Sequence, residues 1–429
     1  MQSGVSKIFI LILTFLYLCG QLTDFSVFGM NIYIFNPDND LALANGDTNY
    51  LPPRNVRLMA MDLAMLPAWY SQPSDKVLLP DSEAIFSFSK TLPNHACLFE
   101  NKWITDSEDI SDTTFCPWGW NPALVKRLAV RGASSERLPS ENVMEAWRQL
   151  SSRSSAVSVL SAIKERLGGE HPLTGESWMC HTEAEVASLV DSLPHTMLKA
   201  PWSGSGKGLR RGMAGGYRSP LSGWCVRTLE RQGAVVVEPL YDNKACDFAM
   251  EFYVHTQEKK AEFVGYSLFV TNANGAYEGN ILMNDAEIEE YLVHSLPRET
   301  LHAVRDVLAD ELVRRFAPSG YQGYVGVDMM ICSSSLLHPC VEINLRMNMG
   351  VVSHLLYERW MMPGTRGRFV VEYYPTPEKL ADMHHQRMEQ HTPVWATDGR
   401  ICSGYLPLTP IGKQTHYLAA MMVGDEFCI

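Results

Sequence analysis

Short apolar runs alternate with helical patterns over the first third of the chain. The runs that have the character of buried strands are residues 31–35, 77–79 and 96–99. Residues 54–70 carry apolar side chains at helical spacing, and residues 121–131 begin with an Asn-Pro pair that is typical of a helix start. Strands that alternate with helices in this way predict a Rossmann-like parallel sheet over about residues 30–135.

The pattern changes after about residue 136. Helical spacing predicts two helices within residues 139–167 and single helices at residues 221–232 and 298–316. Apolar strands are predicted at residues 234–241, 246–254 and 262–270, the last two as antiparallel neighbours. This grouping predicts an α+β part of the chain after the α/β part.

One predicted strand, residues 341–346, carries a row of polar side chains. Its period of two places Glu342, Asn344 and Arg346 on one face and apolar residues on the other. Carboxylate and amide oxygens suit Mg²⁺, and arginine binds phosphate or carboxylate groups in bidentate fashion. An exposed strand face with a salt bridge explains this segment, taken alone, equally well.

A second acid favours the metal interpretation. Asp328 and Glu342 are equidistant from residue 335, which lies in the middle of a serine-rich stretch. If that stretch turns a hairpin, the two carboxylates lie opposite one another on adjacent strands, where like charges repel unless a cation bridges them. We therefore predict a metal site at these two acids.

A glycine-rich loop follows the predicted strand that contains Lys199. Residues 201–208 read Pro-Trp-Ser-Gly-Ser-Gly-Lys-Gly, so their backbone N–H groups are free to cradle an anion, and Lys199 and Lys207 add positive charge. The spacing is neither that of a Walker loop nor G-x-G-x-x-G. The alternative is a flexible hairpin that binds no ligand.

Other candidates are less specific. Glu238 and Pro239 end a predicted strand, and the proline leaves neighbouring backbone groups available to a ligand. Two aspartates follow the first strand, where open α/β sheets bind ligands, although aspartate in a turn is more often a turn-former. The candidates for an acceptor site are Asp38, Asp40, Trp118, Trp120 and residues 272–280.

Composition excludes some functions. A chain of 429 residues suggests two or three subdomains, and a formal net charge of −12 argues against general nucleic-acid binding. Its 10 cysteines include no C-x-x-C pair. That pattern is typical of reduced thiols in a cytosolic protein rather than of disulfides or a zinc site.

Taken in order, these segments resemble the ATP-grasp superfamily from about Arg153 to Arg346. In that superfamily a lysine on a strand precedes a flexible glycine-rich loop over the phosphates. An acid ends a strand beside the adenine, and a D/E…E-x-N-x-R set carries magnesium. The resemblance implies an ATP-grasp fold of two α+β subdomains that clasp ATP, preceded by the Rossmann-like sheet.

The resemblance also implies roles for individual residues. The implied nucleotide-binding residues are Arg153, Lys199, Gly204, Ser205, Gly206, Lys207, Glu238, Leu240 and Asp247. The implied magnesium ligands are Asp328, Glu342 and Asn344, and the implied catalytic residues are Arg346 and Lys199. Two positions depart from the superfamily: Arg153 stands where a second lysine is usual, and Asp328 stands where glutamate is commoner.

The implied reaction is the ATP-dependent joining of a carboxylate to an amine or similar nucleophile through an acyl-phosphate. The implied cofactors are ATP and one or two Mg²⁺ ions, for which Mn²⁺ can substitute. The expected partners are a small-molecule or peptide carboxylate and an amine acceptor, with no nucleic acid and no stable membrane span. A nucleotide-binding regulatory protein without turnover and an ATP-dependent phosphotransferase are the alternatives.

The domain organisation follows from these assignments. We expect a pre-ATP-grasp domain at residues 30–135, an ATP-grasp domain at 136–371 with its small subdomain at about 170–240, and a C-terminal extension at 372–429. Residues 1–29 resemble a signal peptide, or else Met30 is the true start. We favour the second interpretation, because ATP-dependent chemistry belongs in the cytosol; an exported protein is the alternative.

Overall fold

The computed structural model describes most of the chain after Met30. The described residues are 31–80, 87–88, 92, 103–105, 108–204, 208–241, 243–271, 277–332 and 335–428. They all fall within one unit, Asn31–Ile429. The N-terminal extension at 1–29 and the strand predicted at 96–99 lie outside the described residues.

The first sheet is parallel and has the strand order β3-β2-β1-β4 among the described residues. Its strands are β1 (Asn31–Ile34), β2 (Lys76–Leu78), β3 (Trp103–Ile104) and β4 (Thr114–Pro117). The helices of this part are α1 (Asn39–Asn45), α2 (Arg54–Asp62) and α3 (Pro122–Val130). The predicted Rossmann-like sheet is confirmed.

The helix predicted at residues 54–70 is shorter than expected. It ends at Asp62, and a 3-10 turn, Leu66–Trp69, follows. Pro67 lies in that turn and lacks the N–H that a continuing helix needs. The predicted start of α3 is confirmed, because the Asn121 side chain accepts a hydrogen bond from the Leu124 N–H at 2.9 Å.

Two helices, α4 (Glu141–Leu150) and α5 (Arg153–Leu167), lead to a small antiparallel sheet. Its strands are β5 (Trp178–Cys180), β6 (His195–Lys199), β7 (Leu209–Met213) and β8 (Val235–Pro239), in the order β5-β8-β6-β7. Its helices are α6 (Glu183–Ser192) and α7 (Leu221–Gln232), and their buried side chains form a small core with the sheet.

The remaining strands form a large antiparallel sheet in the order β13-β12-β9-β10-β11-β14-β17-β16-β15. The strands are β9 (Lys244–His255), β10 (Lys260–Thr271), β11 (Tyr277–Leu282), β12 (Gly323–Cys332), β13 (Leu336–Asn344), β14 (Gly367–Tyr373), β15 (Val394–Trp395), β16 (Ile401–Pro407) and β17 (Tyr417–Val423). The helices of this part are α8 (Asp285–Val293), α9 (Arg298–Phe316), α10 (Met349–Trp360) and α11 (Pro377–Gln390). The segment at 372–429 thus adds strands to the large sheet.

The two faces of this sheet differ in polarity at β9 and β12. Phe248, Phe252 and Val327 are fully buried in the core that includes α5 and α9. Because side chains alternate along a strand, Glu251 and Asp328 lie on the opposite face. The predicted fold class, a parallel sheet followed by two α+β parts, is confirmed. No helix among the described residues combines the length and apolar character needed to cross a bilayer.

Candidate active site

The hairpin of β12 and β13 brings the two predicted metal acids together. Its register places Asp328 directly opposite Glu342 and Gly326 opposite Asn344, as the sequence predicts. Burial, and then the neighbouring charge of Glu342, raises the pKa of Asp328 to about 7. Two carboxylates that face each other across adjacent strands repel, and a divalent cation between them would remove that repulsion.

The ligand set of this pair is small. Asn344 Nδ2 donates to both carboxylate oxygens of Asp328 at 3.2 Å, so the amide nitrogen is shared between these two oxygens. The described residues contain no group of three or more His, Cys, Asp or Glu side chains that could hold a metal. Two carboxylates and an amide fit Mg²⁺, which keeps waters and takes phosphate oxygens to complete its shell.

Arg153 connects the hairpin to the start of the glycine-rich loop. Its Nη2 lies 2.8 Å from Glu342 Oε1, and its Nη1 donates to Ala200 O at 2.6 Å and to Ser203 Oγ at 2.7 Å. Arg153 is buried at the first position of α5. Arg153, which is predicted to stand in place of a second lysine, therefore pairs with Glu342, a predicted metal ligand.

Lys199 and Glu238 form an ion pair on the small sheet. Lys199 Nζ lies 2.7 Å from Glu238 Oε2, and the two side chains are 7% and 9% exposed. Ser177 Oγ donates to the other Glu238 oxygen at 2.9 Å, and Lys199 Nζ lies 3.4 Å from Val341 O on the large sheet. Strands β6 and β8 are neighbours at the centre of the small sheet, and their register places both charged groups on one face, where Lys199 contacts β13.

Arg346 makes a contact that the sequence did not predict. Its guanidinium binds Asp40 in bidentate fashion, with Nε–Oδ1 at 2.8 Å and Nη2–Oδ2 at 2.7 Å. Nη2 also donates to Asn344 Oδ1 at 2.9 Å. Asp40 lies in the first turn of α1, directly after β1. The parallel-sheet part thus supplies an acid to the site, and a narrow cleft lined by Asp40, Glu342 and Arg346 lies beside this pair.

The glycine-rich loop is described only at its two ends. Ser205, Gly206 and Lys207 lie outside the described residues. Ala200 N–H donates to Gly208 O at 2.9 Å, so the loop leaves β6 and returns into β7 as a hairpin. A Cβ on Gly204 would lie 3.1 Å from the Asp40 Cβ. The loop therefore approaches the Asp40–Arg346 pair closely.

Two predicted nucleotide contacts have partners within the protein. Leu240 N–H donates to His195 O at 3.0 Å, so this donor is not free for a ligand. Asp247 pairs with Lys244 and accepts a hydrogen bond from Thr271 Oγ1 at 3.1 Å. Both residues lie where the small and large sheets connect, and their roles as ligand contacts stay predictions.

The acceptor candidates are dispersed. Trp118 is buried in the core with its ring against Phe35, Trp120 is half-buried, and Asp38 is buried beside α1 with its pKa raised by burial. Residues 272–276 lie outside the described residues, and 277–280 belong to β11. Of this set, Asp40 is the one that contacts a predicted catalytic residue.

Sequence reasoning missed a buried acid beside the hairpin. Glu251 on β9 is 1% exposed and accepts a hydrogen bond from Asn348 Nδ2 at 2.8 Å. A Cβ on Gly326 would lie 2.6 Å from Glu251 Oε2, and one on Gly350 would lie 2.1 Å from Oε1. Burial raises the pKa of Glu251 to about 8. Its available signal was an acid placed between the apolar residues 248–250 and 252–254 of β9.

No protein-family model and no curated protein matches the chain. It is similar to several solved structures. One is N5-carboxyaminoimidazole synthetase from Staphylococcus aureus with ADP, at 12% identity over 93% of this chain and 94% of that one, TM-score 0.46. Biotin carboxylase from Campylobacter jejuni in a β,γ-ATP complex has 11% identity, coverage of 93% and 88%, and TM-score 0.49.

A third similar structure is N5-carboxyaminoimidazole synthase from Aspergillus clavatus with ADP and 5-aminoimidazole ribonucleotide. It has 11% identity over 92% of this chain and 94% of that one, and a TM-score of 0.46. Since the TM-scores are below 0.5, the functional argument rests on the chain's own side chains.

Proposed function

We propose that this protein is an ATP-grasp ligase that joins a carboxylate to an amine or similar nucleophile through an acyl-phosphate. The observation that carries the proposal is the meeting of three elements at one place. Asp328 and Glu342 lie opposite one another, Lys199 on the small sheet lies 3.4 Å from the backbone oxygen of Val341, which precedes Glu342, and Arg346 ends the same row against Asp40. A pocket that bound only a base would not need this set.

The residues divide between the metal and the phosphates. Asp328 and Glu342 would hold Mg²⁺, with Asn344 Oδ1 available once it is released from Arg346. Lys199 and Arg153 would bind phosphate oxygens and stabilise charge that develops on the leaving diphosphate. Bound Mg²⁺ supplies Lewis-acid stabilisation of the phosphates. Such chemistry depends on positioning and electrostatics, so no Ser/His/Asp triad is required.

Arg346 would act on the carboxylate substrate. Its bidentate contact with Asp40 shows that a carboxylate fits the guanidinium in the plane that a substrate carboxylate would use. The substrate carboxylate attacks the γ-phosphorus, ADP leaves, and the amine then displaces phosphate from the acyl-phosphate.

Cofactor and location follow from the same chemistry. We infer ATP with one or two Mg²⁺ ions, a carboxylate and an amine as substrates, and the cytosol as the compartment in which ATP is abundant. Among the described residues, the charges of the site are both acidic and basic, which suits a metal–nucleotide complex better than nucleic acid.

The test is a substrate screen with the full chain. Pools of amino acids, small carboxylic acids and peptides are incubated with Mg-ATP, ADP release is measured, and products are identified by mass. We expect ADP release with a condensed product. A phosphorylated product without condensation would instead identify a phosphotransferase, and nucleotide binding without ADP release in any pool would identify a regulatory protein.

Variants connect activity to the site. Glu342→Gln and Asp328→Asn should each lower turnover at least about a hundredfold, because each removes a charged metal contact of a few kcal/mol. Glu378→Gln, an exposed acid on α11, is the matched control and should leave activity unchanged. Unchanged ATP turnover in Glu342→Gln would refute the metal assignment.

A further inference from the structure

A buried acid that the proposed reaction does not use lies next to the candidate site. The acid is Glu251 on β9, which is 1% exposed and accepts its hydrogen bond from Asn348 Nδ2 at 2.8 Å. Asn348 is itself buried, at 8% exposed. Acids are seldom fully buried unless a partner holds them, so this hydrogen-bonded pair needs an explanation.

The pair lies over bare backbone beside the predicted metal ligands. The register of the large sheet places Gly326 of β12 between Glu251 on one neighbouring strand and Asn344 on the other. A Cβ on Gly326 would lie 2.6 Å from Glu251 Oε2 and closer still to Asn348 Nδ2. A side chain at this position would therefore displace the hydrogen-bonded pair.

The first turn of α10 also packs against the acid. Gly350 is the second residue of this helix, and a Cβ there would overlap Glu251 Oε1 and lie 2.5 Å from Ser267 Oγ. Asn280 Nδ2 donates to the same Ser267 Oγ at 2.7 Å. The acid is thus enclosed by the strands of the large sheet and by the start of α10, which fixes its position.

Asn348 joins this acid to the segment that carries Arg346. It is the N-cap of α10, where its Oδ1 accepts from the Val351 N–H at 3.0 Å while its Nδ2 donates to Glu251. Both ends of the amide are therefore used, and rotation of the side chain would break both contacts. Residues 345–348 link β13 to α10, and Arg346 is the second residue of this link.

The path of the link depends on where Asn348 is held. The link leaves the sheet at Asn344, beside Gly326, and its last residue packs its amide onto that same glycine. A short segment that begins and ends at one glycine has little freedom of its own. Arg346 lies inside this segment, and its guanidinium extends to the carboxylate of Asp40.

We propose that Glu251 is a positioning residue for Arg346. Its hydrogen bond fixes Asn348, Asn348 fixes the end of the link, and the link sets where the guanidinium points. The described residues that line the cleft include Arg346 but not Glu251, so the acid acts through its partner. The inference rests on the proposed function, because that function assigns to Arg346 the binding of the substrate carboxylate.

The test measures how accessible the Arg346 guanidinium is, so it needs no substrate. Phenylglyoxal, which modifies arginine side chains, is added at a fixed pH without nucleotide or Mg²⁺, and the rate at each arginine is measured by peptide mass spectrometry. Arg153, whose side chain is 7% exposed, is the internal reference for general loosening of the site. Asp40→Ala removes the carboxylate that holds the guanidinium, so it gives the rate of a released Arg346.

Three variants alter the acid and its partner. Glu251→Met removes the acceptor at similar length, Glu251→Gln keeps an oxygen for Asn348 Nδ2, and Asn348→Ser keeps a cap oxygen but is too short to reach Glu251. The matched control is Glu311→Met, because Glu311 is another buried acid and is paired with Arg314 and Arg315 on α9. Urea midpoints are measured for every variant.

We expect Glu251→Met and Asn348→Ser each to raise the modification rate of Arg346 about tenfold, the factor that corresponds to one lost buried hydrogen bond, and to leave that of Arg153 unchanged. The double variant should be no faster than either single variant, because both remove the same contact. Glu251→Gln should stay within about twofold of the wild type, because its hydrogen bond is kept. Glu311→Met should lower the urea midpoint without a change in the rate at Arg346.

Three results would overturn the inference. Equal rates at Arg346 in the wild type, Glu251→Met and Asn348→Ser would show that the link does not need the acid. Rates that rise together at Arg346 and Arg153, or a faster rate that persists in Glu251→Gln, would identify a residue of general stability. If Glu251→Met does not fold, Asn348→Ser decides by the same criteria. Because no substrate is used, a failed ligase screen would refute the proposed function and not the role of Glu251.

Discussion

The buried pair of Lys199 and Glu238 gives a sharp test of how this site is built. Single variants Lys199→Met and Glu238→Leu each leave one charge in the interior, whereas the double variant removes both. The side chains are 7% and 9% exposed, and the contacting atoms are 2.7 Å apart. A charge left alone at such a position destabilises the fold more than the intact pair stabilises it.

The structure sets the expected magnitudes. Each single variant should lower the free energy of unfolding by about 3–5 kcal/mol, because its former partner stays buried and charged. Lys199→Met should fall at the lower end, since Ser177 still donates to Glu238 Oε1 at 2.9 Å. The double variant should lie within about 1 kcal/mol of the wild type, because no charge remains to be solvated.

The assay is urea unfolding of the four proteins without nucleotide, followed by tryptophan fluorescence. The exposed pair Arg166–Asp310, with contacting atoms 2.9 Å apart and side chains 44% and 67% exposed, is the control. A double-mutant cycle with alanine at both positions of this pair should give a coupling free energy below about 0.5 kcal/mol. If the Lys199 and Glu238 effects simply add in the double variant, the two groups are not an isolated buried pair and the reasoning fails.

Three further predictions concern the acids and glycines around the hairpin. The pKa of Asp328 is raised to about 7, so below pH 7 a proton competes with the metal for this carboxylate. The affinity for Mg-ATP, measured by calorimetry, should therefore fall about tenfold per pH unit below pH 7 and stay level above it. An affinity that does not change with pH would contradict this. Burial raises the pKa of Glu251 from 4.5 to about 8, so its contribution to stability is intact below pH 4.5 and is lost as the pH rises to 8. The urea midpoint of Glu251→Gln should not fall as the pH rises from 4.5 to 8. If it falls as much as that of the wild type, other groups cause the loss of stability. Gly350→Ala, whose methyl would lie 2.1 Å from Glu251 Oε1, should destabilise by about 1–3 kcal/mol, whereas Gly169→Ala, with no neighbour within 4 Å, should have little effect in the same assay.

Local patterns were sufficient to predict most of the fold. The alternation of strands and helices predicted the parallel sheet. The spacing of apolar residues predicted a helix at residues 298–316, which are the bounds of α9. Counting residues on either side of position 335 predicted Asp328 opposite Glu342, but it did not predict the register shift between Asp328 and Met330 that the hairpin contains. These features depend on neighbours along the chain.

Contacts between distant segments could not be predicted in the same way. Asp40 and Arg346 are 306 residues apart, and no spacing rule connects the end of β1 with the end of β13. The helix after Arg54 was predicted too long because its apolar spacing continues through Pro67, where the backbone cannot.

The charges of the site argue that metal and nucleotide bind together. Its acids are Asp40, Glu238, Asp328 and Glu342, and its bases are Arg153, Lys199 and Arg346. Glu342, Glu238 and Asp40 each form an ion pair with one of the three bases, and among the described residues Asp328 has a hydrogen bond from Asn344 instead. Mg²⁺ alone would therefore meet one carboxylate that has no basic partner. ATP alone would meet bases that are already paired with acids. A Mg-ATP complex changes both conditions at once, because its phosphates can take Lys199 and Arg153 from their acids while its metal takes the released carboxylate of Glu342. In the proposed complex this exchange would release Glu342 to the metal and leave Glu238 with the hydrogen bond from Ser177, and it would link the small sheet, the hairpin and α5 in one step.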